Sequence, residues 1–148
     1  MEYKFMAKYA KMDKSAKLPT RKTPTDAGMD LYALEYSEIP DGGIGIVRTG
    51  VTVEVPDGFF VWIANKSSRN YLVGGGIVDG GYQGELLVKV MNTSGDVLRI
   101  PVGTAIAQMI VLPFFKFEFV EVPLESIHKT RTARGSSGGI VTQLENPS

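Results

Sequence analysis

The tightest constraint on this chain is a two-residue rhythm that is never allowed to run for long. In Glu2–Ala10, Tyr3, Phe5, Ala7 and Tyr9 share one face, with Lys4 and Lys8 opposite. Val51, Val53 and Val55 alternate with Thr52 and Glu54, and Leu86, Val88 and Val90 with Leu87, Lys89 and Met91. Ala105, Ala107, Met109 and Val111 alternate with Ile106, Gln108, Ile110 and Leu112, and Phe115, Phe117 and Phe119 with Lys116 and Glu118. Successive side chains of an extended backbone point to opposite faces, so each run predicts a strand. Phe59–Ala64 is continuously apolar and predicts a strand buried on both faces.

Turn chemistry separates the runs: Asp41-Gly42-Gly43, Pro56-Asp57-Gly58, Gly80-Gly81, Ser94-Gly95-Asp96 and Pro101-Val102-Gly103. No long window carries a 3.6-residue period, and at most one helical turn is expected around Ser68–Tyr71. Many short strands at close spacing, with no internal repeat and no linker, predict an all-β sandwich or barrel.

Composition narrows the function classes. The chain has 148 residues, 16 Lys+Arg against 16 Asp+Glu, one histidine and no cysteine. A chain of this length forms one domain with a real core. Without cysteine there is no disulfide scaffold, no thiolate nucleophile and no Cys-based metal site. His128 alone cannot build a His-cluster metal site and weakens any Ser–His hydrolase reading. The longest wholly apolar run, Met109–Phe115, falls far short of the roughly 18 residues of a membrane span. Zero net charge argues against a mainly electrostatic nucleic-acid binder. No apolar stretch follows Glu2, Lys4 and Lys8, so no secretory signal is expected. The expectation is a cytoplasmic protein (host-cell cytoplasm if viral) with neither membrane nor nucleic acid as partner.

Five features could carry chemistry. In Gly76-Ile77-Val78-Asp79-Gly80-Gly81-Tyr82-Gln83-Gly84-Glu85 a carboxylate lies between an apolar strand and a glycine turn. Asp79 there is either a turn residue or a general base beside a pocket floored by Tyr82. Gly74-Gly75-Gly76 permits close approach of another group to the backbone. Asn65-Lys66-Ser67-Ser68-Arg69 groups two cations with two hydroxyls, a solvated loop or a cradle for a phosphate chain. Gln108, set among apolar neighbours, must find partners or face a cavity. Residues 129–148, with Arg131, Arg134 and Gly135-Ser136-Ser137-Gly138-Gly139, read as a frayed terminus or as an arm that closes over an anion.

Taken in order, these segments resemble the five motifs of the homotrimeric dUTPase family. Ala27-Gly28-Met29-Asp30-Leu31 is similar to the first, Lys66-Ser67-Ser68 stands in the place of the second, and Gly76–Gly84 matches the third closely. Gly103-Thr104-Ala105-Ile106-Ala107-Gln108-Met109 resembles the fourth, and Arg134-Gly135-Ser136-Ser137-Gly138-Gly139 the fifth. The resemblance implies a jelly-roll-like (β-clip) subunit: a β-barrel-like nucleotide hydrolase domain over residues 1–128 and a flexible C-terminal arm over 129–148. It implies a homotrimer with shared sites that hydrolyses dUTP to dUMP and pyrophosphate with Mg2+.

In those terms Asp79 activates the attacking water, and Gln108 and Ser67 hold that water or phosphate oxygens. Tyr82 packs beneath the deoxyribose, and backbone at Gly76, Ile77 and Val78 reads uracil. Lys66 and Ser68 meet the phosphates and Asp30 supports the magnesium through water. Arg134 clamps the terminal phosphates, and Gly138 and Ile140 close the arm.

The family pattern has Pro-Arg where Asn65-Lys66 stand and a phenylalanine in the last motif, where Ile140 offers apolar cover without a ring. Two rivals share this outline. A dCTP deaminase needs a glutamate where Gln83 stands, and a regulatory dUTPase-like protein would use nucleotide occupancy to expose a partner surface.

Overall fold

A computed structural model of the protein describes residues 5–128. The chain divides into two compact units, Met1–Lys116 and Phe117–Ser148. Among the described residues the first holds eleven strands: β1 Lys8–Lys11, β2 Met29–Tyr32, β3 Ser37–Ile39, β4 Ile44–Arg48, β5 Val51–Glu54 and β6 Phe59–Ala64, then β7 Tyr71–Val73, β8 Gly76–Val78, β9 Leu87–Asn92, β10 Leu98–Ile100 and β11 Ala105–Pro113. All the pairings are antiparallel. A four-stranded sheet runs β2-β11-β6-β8 and a three-stranded one β4-β9-β7, with the pairs β1-β5 and β10-β3 beside them. The result is the expected all-β, jelly-roll-like fold.

The alternation predicts burial where both neighbours of a strand lie within the chain. Val88 and Val90 of β9, which lies between β4 and β7, are buried while Leu87, Lys89 and Met91 face out. They join Leu31, Val47, Val61 and Ile106 in one contiguous core drawn from both larger sheets. Turn glycines follow the same logic. Gly58 adopts φ 87 in the Pro56-Asp57-Gly58 turn, and Gly50 adopts φ 70 between β4 and β5, a region costly for any side chain. Of the two buried polar residues, Asn92 donates to the carbonyls of Ile39 (2.9 Å) and Asp96 (2.7 Å). Thr49 donates to that of Leu86 at 2.6 Å, so neither leaves a costly unmet group.

Five expectations need correction. Of the expected Glu2–Ala10 strand, Glu2–Lys4 lie outside the described residues and Phe5–Ala7 are not in a strand, so β1 is Lys8–Lys11, paired with Glu54 to Val51 of β5. The Phe59–Ala64 strand is fully buried on one face only: Val61 and Ile63 enter the core, while on the other face Phe60 packs edge-on against Phe114 and Trp62 remains 41% exposed. In β11 a bulge between Ala105 and Ala107 resets the parity, so Ile106 and Ala107 are both buried. Phe115–Phe119 is not a strand. Its alternation is strand-like, but no ladder forms there and Phe119 is 93% exposed. Ser68–Tyr71 forms no helical turn, and a three-residue 3₁₀ turn lies instead at Leu124–Ser126 in the second unit. Among the described residues no helix is long and apolar enough to cross a membrane.

Candidate active site

Two groups of polar residues sit on the four-stranded sheet. The first lies beyond the end of β8, where Gly76, Ile77 and Val78 pair with Ile63, Trp62 and Val61. The chain then turns through Asp79-Gly80-Gly81-Tyr82, closed by the Tyr82 N–H donating to the Asp79 carbonyl at 3.0 Å. Asp79 and Tyr82 line one cleft of about 220 Å³, walled by Ile63, Val78, Leu86 and Glu85. The Tyr82 hydroxyl donates to the Glu85 carbonyl at 2.6 Å. Gly84 lies flat against the ring, since a Cβ there would stand 2.6 Å from the hydroxyl oxygen.

The Glu85 carboxylate accepts from Arg48 Nε (3.1 Å), Arg48 Nη2 (3.0 Å) and the Gly50 N–H (3.2 Å). The Arg48 hydrogen bonds, chief among these influences, hold its carboxyl below the ordinary glutamate range, and the pairing raises the Arg48 guanidinium in turn.

The second group gathers where β2, β11 and β6 lie side by side. Gln108 stands opposite Asp30 on one flank and Ala64 on the other. Its Nε2 donates to the Asn65 carbonyl at 2.8 Å, which turns the Oε1 toward Gly28. A Cβ on Gly28 would stand 2.9 Å from the Gln108 Cδ and closer still to its oxygen, so only glycine leaves room for this amide. Lys66 Nζ donates to Asp30 Oδ1 in an ion pair whose carboxylate is 19% exposed. The Asn65 side chain accepts the Val73 N–H and holds the short loop to β7. Ser68 N–H donates to the Lys66 carbonyl at 2.8 Å, and its hydroxyl accepts from the Asn70 N–H at 3.2 Å, while Ser67 is exposed.

The sheet register separates the two groups. Asp79 follows Val78, which pairs with Val61, whereas Gln108 pairs with Ala64. That is about 13 Å along the strands and about 10 Å across them. Asp79, Tyr82 and β8 therefore assemble at one place in the chain, and Asp30, Lys66, Ser67, Ser68 and Gln108 at another. Arg134, Gly138 and Ile140 lie outside the described residues. A larger cavity of about 490 Å³, lined by Phe5, Tyr9, Val53, Phe59 and Met109 among others, contains none of the expected site residues.

The family model described as dUTPase matches residues 14–139. The chain belongs to the dUTPase family. It is 31% identical over 140 residues to a deoxyuridine 5'-triphosphate nucleotidohydrolase of Alkaliphilus metalliredigens, covering 90% of this chain and 96% of that one. The homonymous protein of Leifsonia xyli is 38% identical over 135 residues, covering 86% and 89%. Among solved structures, a dUTPase variant from phage phi11 of S. aureus, whose structure concerns the coordination of a structural Mg(II) ion, aligns with a TM-score of 0.74. That alignment has 20% identity and covers 81% of this chain and 99% of that one. A Staphylococcus bacteriophage 80alpha dUTPase variant with dUpNHpp aligns at 0.78, with 22% identity and 89% and 98% covered. At those identities the two structures establish the fold.

Three residues that sequence reasoning did not single out stand with the candidate site at the end of β8. Glu85 and Gly84 stood at the end of the third segment, and their signal was adjacency to Tyr82. Arg48 carried no signal, because its partner is 37 residues away.

Proposed function

We infer that the chain hydrolyses dUTP to dUMP and pyrophosphate, as the names of its relatives describe for those proteins. The observation that carries the mechanism is the shared cleft at the end of β8, where an exposed carboxylate and a pinned phenol ring stand together.

Asp79 accepts a proton as water attacks the α-phosphorus. The water oxygen bonds to phosphorus, the bridging oxygen leaves with pyrophosphate, and the proton passes to the Asp79 carboxylate. Tyr82 has spent its hydroxyl on the Glu85 carbonyl, so what faces the sugar is ring without a free donor. A 2′-hydroxyl there would lose water and gain no partner. The base is read by β8. Among the described residues this strand is the sheet's edge, paired with β6 alone, and its outward peptide groups offer the donors and acceptors that distinguish uracil from cytosine.

Lys66, Ser67 and Ser68 meet the phosphates, and Gln108 holds the attacking water or a phosphate oxygen. Gathered carboxylates for an inner-sphere metal cage are absent among the described residues, and the lone Asp30 fits a role through coordinated water. When bound through the triphosphate, Mg2+ supplies charge neutralisation at the phosphate oxygens. The arm of residues 129–148, with Arg134, Gly138 and Ile140, closes over the nucleotide, and residues 1–128 form the hydrolase domain.

The split between the two groups supports a homotrimer in which each site joins the β8 hairpin of one copy to the Asp30–Gln108 cluster of another. The half-open face carrying Trp62 and Ile77 between the groups favours the same arrangement.

A turnover panel of dUTP, dCTP, dTTP and UTP with magnesium tests the reading. Pyrophosphate release should be confined to dUTP, and ammonia release from dCTP would overturn it. Asp79→Asn should lower kcat by about 10²- to 10⁴-fold while dUTP binding persists. Wild type that binds dUTP without releasing pyrophosphate would refute hydrolysis.

A further inference from the structure

Gln108 can serve water or phosphate only from a fixed place, and a long side chain with several free torsions has every entropic reason to leave it. Its carboxamide lies between Gly28, which gives it room, and the Asn65 carbonyl, which accepts its Nε2 at 2.8 Å. Among the described residues that carbonyl is the side chain's one hydrogen-bond partner.

A carbonyl steers a side chain only as well as its own peptide unit is held. Asn65 lies just past the end of β6, and the Lys66 N–H in the same peptide unit donates to no other described residue. No ladder bond therefore fixes this plane. Lys66 is tied to Asp30 only through the tip of a flexible four-carbon stem. What remains is the Asn65 side chain, which crosses to the other sheet and accepts the Val73 N–H. β7 is the edge of that sheet, and the neighbouring Gly74 N–H donates to the Lys89 carbonyl at 2.8 Å, which turns the Val73 N–H away from β9. Strand β6 holds the amide side of residue 65 and this bond holds its Cβ side, so the tetrahedral Cα leaves the carbonyl carbon one place to be.

We propose that Asn65 is the positioning residue for Gln108: bracing residue 65 against the edge of β7 fixes the carbonyl on which the carboxamide rests. The proposal rests on the reading of Gln108 as a group that holds water or a phosphate oxygen, and it adds a residue that acts through Gln108. Without the Asn65 Oδ1, the peptide after residue 65 is held by the Gln108 amide itself, and the group to be steered becomes the one that steers. A misplacement of about 1 Å in such a group is enough to slow a reaction by about 10²-fold.

The experiment measures kcat and KM for dUTP in the full-length protein carrying Asn65→Ala, Gln108→Ala or both, with Asn65→Asp and Asn65→Leu beside them. Gln108→Ala should lower kcat by about 10²-fold, and Asn65→Ala by about tenfold with KM changed far less. Added to Gln108→Ala, Asn65→Ala should cost almost nothing further, because the side chain it steers is gone. Asn65→Asp keeps an acceptor for the Val73 N–H and should restore most of kcat. A loss that repeats in full in the Gln108→Ala background, or a kcat in Asn65→Asp as low as in Asn65→Ala, would mean a merely structural asparagine and would overturn the proposal. If Gln108→Ala lowers kcat and Asn65→Ala does not, Asn65 is refuted while the reading of Gln108 stands. If Gln108→Ala leaves kcat intact, that reading itself fails. Should Asn65→Ala not fold, Asn65→Leu decides, since it keeps the volume and discards only the polar end, and an undiminished kcat there is equally fatal.

Discussion

The hairpin after β8 and the cluster around Gln108 occupy one sheet yet hold their polar groups by opposite means. The long-range Arg48–Glu85 fork lies at the far end of the hairpin. Around the Asp79 turn the bonds are local: Tyr82 N–H to the Asp79 carbonyl and Tyr82 hydroxyl to the Glu85 carbonyl, each spanning three residues. They leave the Asp79 side chain exposed in its cleft. In the cluster the bonds are long-range. Lys66 reaches back 36 residues to Asp30, and Gln108 reaches 43 residues to Asn65. The contrast suits the roles proposed for each: a proposed general base keeps its lone pair for water, whereas the proposed phosphate-side groups are held in place before a substrate arrives.

The sharpest way to break the comparison is to divide the two groups between chains. Chains carrying Asp79→Asn and chains carrying both Asp30→Asn and Gln108→Ala should each be nearly inactive. Unfolded together and refolded as mixed trimers, they should recover about a quarter of wild-type turnover, because a site that borrows one group from each of two copies is whole in that share of random pairings. No recovery would place both groups of a working site in one chain.

A smaller effect separates placement from folding within the cluster. Gly28→Ala should force the Gln108 carboxamide aside, break its bond to the Asn65 carbonyl, and cost about 10²-fold in kcat with little change in melting temperature. Equal losses of activity and stability would show that Gly28 serves the fold instead.

The smallest effect concerns the acid limb of stability. Glu85 has its carboxyl lowered in the folded state, so its contribution is complete above the ordinary glutamate range and is lost as pH falls through it toward the depressed folded value. Arg48, which also faces Glu35 at 4.0 Å and feels Asp13, remains charged throughout. Melting curves of wild type and Glu85→Gln should therefore differ most near neutrality and converge by a few degrees in acid. A gap that widens in acid would contradict the sign.

The sequence disclosed those parts whose partners are either adjacent or generic. The alternation of Leu86–Met91 predicts which side chains enter the core because both flanking strands, β4 and β7, belong to the same chain. The same reasoning misjudges Phe59–Ala64 and Phe115–Phe119, since apolar alternation records what a residue prefers to touch and cannot say whether this unit provides it. The bulge at Ala105/Ala107 inverts a face that counting by twos assigns elsewhere. At the site, Asp79 and Tyr82 were legible as a carboxylate and an aromatic on one glycine turn. The Arg48–Glu85 fork was not, because a pairing across 37 residues leaves no periodic trace.

The base reading proposed for the sheet edge at Gly76–Val78 also bears on how such an enzyme can evolve. Recognition written in peptide groups is carried by atoms common to every amino acid, so point substitutions there change bulk and stiffness but leave the lettering of donors and acceptors intact. A lineage drifting under mutation would keep its choice of nucleobase long after its loops had diverged, and acquiring a new one would require inserting or deleting chain rather than exchanging side chains.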